Sequence, residues 1–148
     1  MKKPLVSESI LLISTTSFVI ELVVLSLLIF GYKLKRENKF RQHGITMTIA
    51  LLLHLGTIFG WMITSFAAYF FSPNVQVNSA NPLILTTFVH VFLGTIAASL
   101  GVWLVASWHL QTNVRDCFGR KRIMLTTIAF WSIAIALGVV LYVAVILS

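Results

Sequence analysis

Four histidines, one cysteine and a glutamate inside an apolar run are where this sequence can do chemistry. Imidazoles ligate haem iron and copper and carry protons near neutral pH. His43, Met47, His54 and Trp61 stand at i, i+4, i+11 and i+18, so a helix presents them as one stripe. Lipid offers no partner to two imidazoles on such a stripe, so they must find one within the protein. Glu21 precedes Lys33 by twelve residues and His54 follows Arg41 by thirteen. Both therefore lie roughly 18–20 Å inside a basic edge at 1.5 Å per residue. On adjacent antiparallel helices these depths match, and Glu21 with His54 is the intramembrane polar pair the spacing offers. The other reading is a protonated Glu21 bonded to a neighbouring Ser or Thr. Ser14 and Ser17 share its stripe.

A second group gathers at the basic edge. His43 and His109 agree in depth there, and Asp116 and Cys117, in the connection that follows His109, are close enough to approach them. Imidazole with thiolate suits copper or haem iron, and a carboxylate can support such ligands. His43, His109 and Cys117 are thus candidate metal ligands; solvated interfacial histidines are the alternative. His90 heads a stripe of Gly94, Ala97, Gly101 and Trp108. Such a stripe either receives a helix closely or leaves a slot for a planar cofactor. His43, His90 and His109 are the candidate cofactor-binding residues. His54 and His90 differ in depth by roughly 13 Å, counted from their helix ends, which separates them as ligands of one metal.

The elements that must position these groups follow from composition. The 148 residues have a mean hydropathy of +0.95, with 58% hydrophobic and 10% charged residues. Only lipid suits so apolar a chain. The net charge of +7 sits in two short clusters between apolar segments, a topology signal that excludes a nucleic-acid face. A single cysteine excludes an intrachain disulfide. Segments at about 7–31, 44–71, 83–110 and 123–147 each exceed the roughly 20 residues needed to span a bilayer. In lipid they must be helices. The expected fold is all-α, an integral membrane up-down four-helix bundle forming a single transmembrane domain over residues 1–148.

The first segment reads as a retained helix rather than a cleaved signal. Its apolar run continues to Phe30, contains Glu21 and lacks a small-x-small exit. Lys33, Lys35, Arg36, Lys39 and Arg41 in the first connection, with Arg115, Arg120, Lys121 and Arg122 in the third, outweigh Lys2 and Lys3. The positive-inside rule then places both termini outside a cell membrane and the basic loops in the cytoplasm. Gly56 and Gly60 form a GxxxG that permits close helix approach. Thr127, Trp131, Ala134, Gly138 and Tyr142 align as the bundle face of the last helix, with Tyr142 alternatively an interfacial anchor.

Several of these residues carry a resemblance. His43-x-x-x-Met47 after a basic loop, Phe88-Val89-His90 entering a small-residue helix, and Trp131 seven residues before Gly138-Val-Val-Leu-Tyr142 resemble the CtaM/YozB-like membrane family of domain of unknown function 420. The resemblance spans about residues 42–143. It implies a part in maturing haem–copper terminal oxidases, with membrane respiratory enzyme subunits as partners, and matches at His43, Met47 and His90. Arg120 stands where many members have a histidine, a place His109 can take. Glu21, His54 and His109 are not family features.

No enzyme signature is present: no HExxH, no phosphate loop and no nucleophile–base–acid set. The sequence therefore leans away from an enzyme. One reading is a non-enzymatic factor that assists oxidase maturation or handles its haem or copper. Another is an accessory structural subunit of a membrane oxidoreductase, with or without haem. A third is a proton or small-solute path through Glu21 and His54. The residue types do not choose among haem, copper and no cofactor, nor do they set an oligomeric state.

Overall fold

The computed structural model describes residues 8–70, 81–108 and 119–147. They form α1 (Glu8–Arg36), α2 (Phe40–Thr57), a π-helical turn (Ile58–Met62), α3 (Ile63–Phe70), α4 (Pro82–Trp108) and α5 (Lys121–Leu147). Thr57 and Ile63, on either side of the π turn, keep right-handed helical backbone, so α2, the turn and α3 run on as one rod. Four rods result, and each contains a stretch long and apolar enough to cross a membrane. The protein is an all-α four-helix membrane bundle.

α1 outruns its apolar stretch and continues to Arg36, one turn into the basic run. Hydropathy marks where lipid ends, whereas Lys33, Lys35 and Arg36 favour the negative end of the helix dipole and prolong it. Asn38 then ends the helix with a φ of 60°. Lys39 N–H bonds Leu34 O at 3.0 Å and Asn38 N–H bonds Lys35 O at 3.1 Å, the paired bonds of a Schellman stop. Asn tolerates this left-handed position better than most residues. Beside it, a hydrogen bond from the Lys39 ammonium holds the exposed Glu37 carboxyl below the usual carboxylate range.

α1 packs on α2 and α5, and α4 packs on α2 and α5. Round the bundle the order is α1, α2, α4, α5, the up-down arrangement. Val24 and Leu28, Ala50 and Leu51, Ala97, and Trp131 and Ile135 form the shared core. Ala50 and Ala97 are fully buried; their small side chains admit the neighbouring backbones that a larger residue would hold off. Large apolar side chains such as Leu12, Phe30, Phe59 and Phe92 point outward, as a lipid-facing surface requires.

Two sequence expectations change. Trp61 falls inside the π turn, where a 3.6-residue count no longer applies, and it is only half-buried. The same turn takes Gly60 out of register with Gly56, and a methyl group added at either would meet nothing within 4 Å. The GxxxG thus receives no helix of this chain among the described residues. On α5, by contrast, Thr127, Trp131 and Ala134 are buried. Tyr142 serves the bundle too: its ring stacks on Phe18 with centroids 4.4 Å apart, and its hydroxyl lies 3.1 Å from Thr15 Oγ1. Tyr142→Phe keeps the stack and loses the bond. Detergent unfolding should register a loss of about 0.6 kcal/mol, the usual size of an interhelical bond in a membrane protein. Tyr142→Ala, which removes the ring as well, should lose several times more.

Candidate functional site

Glu21 and His54 meet in the middle of the bundle. His54 Nδ1 lies 2.8 Å from Glu21 Oε1, with the imidazole 5% and the carboxylate 12% exposed. The Thr57 hydroxyl, one turn further along the same rod, stands 2.9 Å from Glu21 Oε1 and 2.8 Å from His54 O. Its single proton can serve only one of these acceptors at a time. The Trp131 indole covers the imidazole from α5, with ring centroids 4.8 Å apart and planes tilted by 45°. Among the described residues, Glu21 Oε2, His54 Nε2 and Trp131 Nε1 are buried without a hydrogen-bond partner. Two ionisable groups thus share one hydrogen bond inside the bundle.

His90, on α4, meets α5 further along its length. Its Nδ1 is 2.8 Å from Ala134 O. A carbonyl only accepts, so Nδ1 carries the proton and Nε2 the lone pair. The ring reaches that carbonyl because Gly138, one turn on, has no side chain: a Cβ there would stand 3.2 Å from His90 Cε1. The small-residue stripe below His90 is filled by neighbours at its lower end, where Leu51 comes within 3.0 Å of a Cβ placed on Gly101. Thr86 and Thr87 bond back to Pro82 O and Leu83 O and leave His90 to α5. His54 contacts α5 at Trp131 and His90 contacts it between Ala134 and Gly138. That is up to about 10 Å further along the helix axis at 1.5 Å per residue, so the two imidazoles occupy successive levels.

His43 sits at the basic end of the bundle, 7% exposed, with Nδ1 donating to Gly31 O at 2.8 Å. As at His90, this fixes the tautomer and leaves Nε2 as the available nitrogen, the way histidine ligands of metals are commonly held. His43 lines a cavity of about 90 Å³, together with Met47, Trp108, Met124 and Trp131. Trp108 lies flat against Gly44, so close that a Cβ there would overlap its six-membered ring. Met47 presses on Gly31, where a Cβ would fall 2.6 Å from its methyl carbon. Lys35 Nζ reaches Met124 Sδ at 3.8 Å. Arg120 bonds Ser107 Oγ at 2.6 Å and lies 5.5 Å over the Trp103 ring.

His109, Asp116 and Cys117 lie outside the described residues, so of the set His43, His109 and Cys117 only His43 can be placed. Among the described residues no three His, Cys, Asp or Glu side chains gather as a metal cluster. A cavity of about 90 Å³ admits an ion or a few waters. It does not admit a porphyrin, which needs a pocket of several hundred Å³. Haem therefore does not fit here, whereas the nitrogen and sulfur atoms present do suit copper. Thr57 and Met124 carry no signal in the spacing of titratable residues, since each reaches its partner from another helix; Trp131, expected on the bundle face, covers His54. The chain matches no family model, no curated protein and no solved structure.

Proposed function

We propose that this protein is a non-enzymatic, multi-pass membrane factor that assists maturation of a respiratory haem–copper oxidase by handling its copper. His43 carries the reading. It is a buried imidazole whose Nδ1 is engaged by Gly31 O, and it lines a small cavity beside thioether side chains. The resemblance over residues 42–143 supports the oxidase as partner, since His43, Met47 and His90 are the matching positions. The basic bias of the first and third connections orients the His43 end toward the cytoplasm of a cell membrane, with both termini outside.

Complementation tests it. In cells lacking the protein, His43→Ala and His90→Ala should insert at normal abundance yet fail to restore the oxidase, read from its visible absorption spectrum and activity. Full restoration by both variants at normal abundance would overturn the reading. A second reading has one observation in its favour: the faces of Gly56 and Gly60 meet nothing among the described residues, which leaves them to another protein. That reading makes the chain an accessory subunit of a membrane oxidoreductase. Stoichiometric retention in the mature, purified enzyme identifies a subunit, and its loss on maturation identifies an assembly factor.

A further inference from the structure

Three donor side chains converge on one turn of α1. His43 Nδ1 is tied to Gly31 O at 2.8 Å, so its ring is held there with Nε2 available. Met47 lies on the same residue, with Sδ 3.5 Å from where a Gly31 Cβ would stand. Met124, from α5, has its Sδ 3.8 Å from the ammonium of Lys35, one turn along the same face of α1. All three line the same cavity of about 90 Å³, which Trp108 also borders. One imidazole and two thioethers in apolar surroundings are soft, uncharged donors, and such a set selects Cu(I) over hard divalent ions. An indole face beside them adds attraction for a cation.

We infer that His43, Met47 and Met124 form a Cu(I) site at the basic end of the bundle, with Lys35 as its competitor for the Met124 sulfur. This rests on the copper-handling reading of the function, and it deepens that reading by naming the ligands and the oxidation state. Binding needs no deprotonation of the ligands, because neutral imidazole and thioether are already in their ligating forms. The Lys35 ammonium both occupies Met124 Sδ and repels a cation. It must swing toward the membrane surface when copper enters, as a long flexible stem allows.

The test is competition for Cu(I) between the purified full-length protein in detergent, under reductant, and a chromophoric Cu(I) chelator. Cys117→Ser is the background, so that a thiol does not dominate the reading. The expected result is one Cu(I) per chain. Affinity should fall at least about tenfold in Met47→Leu and in Met124→Leu, which change volume little, and further in His43→Ala. Lys35→Ala should bind several-fold more tightly. X-ray absorption at the copper edge should show both sulfur and nitrogen ligands. Absence of Cu(I) binding in the Cys117→Ser background overturns the site, as does affinity indifferent to both methionine variants or unraised in Lys35→Ala. Copper binding that follows these variants, together with normal oxidase maturation by Met47→Leu and Met124→Leu, keeps the site and removes the oxidase role. Failed maturation by a His43→Ala protein whose parent binds no copper does the reverse.

Discussion

Glu21→Ala is expected to destabilise the bundle by about 3–5 kcal/mol, the effect of breaking a buried ionisable pair and stranding one partner. The stranded group is His54, whose Nδ1 would lose its bond of 2.8 Å while the ring stayed enclosed by α1, α2 and the Trp131 indole. Thr57 would lose the same acceptor. Glu21→Gln keeps an oxygen where Oε1 stands and removes the possibility of charge. It should lose only about 1 kcal/mol, the net worth of a partly weakened hydrogen bond. Replacing both partners with leucine should recover most of the alanine loss, because two apolar side chains of similar volume need no mutual satisfaction. Reversible unfolding in mixed micelles measures all three. A Glu21→Ala protein within about 0.5 kcal/mol of the parent would show that the pair contributes nothing to holding α1 on α2, since ordinary surface changes are of that size.

The second large effect is at Gly44. Trp108 is packed so closely on its Cα that alanine already displaces the indole. Overpacking of this kind costs about 1–3 kcal/mol, and Gly44→Val should exceed the alanine value. Gly31 is the control. There the first atom met is the terminal methyl of Met47, which can rotate away, so Gly31→Ala should be the milder change. Thermal unfolding gives the ranking, and fluorescence compared with Trp108→Phe reports whether the indole has moved. Equal, small effects at both glycines would mean that Trp108 is not pinned on α2.

The depth of ionisable groups was legible because lipid gives the sequence an external ruler. Counting from Lys33 and Arg41 along two antiparallel helices brings Glu21 and His54 to one level, where they meet. The helices themselves were legible from apolar length alone. What stayed hidden has a common cause, which is that its signal is not a residue type at a spacing. His43 and His90 are held by the carbonyls of Gly31 and Ala134, and any residue supplies a carbonyl. The role of Gly138 is to leave room, which from the sequence resembles any packing glycine. Met124 joins Lys35 across 89 positions of sequence, a distance over which periodicity says nothing. The GxxxG misled because four residues equal one turn only in an α-helix, and the π turn begins between its two glycines.

That π turn also sets how the rod can change in length. A π turn holds one residue more than the α-helical turn it replaces, marked here by Ile63 N–H bonding back to Ile58 O. Deleting a single residue within residues 58–62 would convert it to ordinary α-helix, with the segments on either side keeping their rotational phase. A one-residue deletion elsewhere in a helix turns everything beyond it by about 100° and misplaces its packing face. The second rod therefore carries a point of tolerance to the loss of one residue. Deleting Phe59, whose side chain faces outward, should leave His43 and His54 in their places, whereas deleting Leu51 should scatter them.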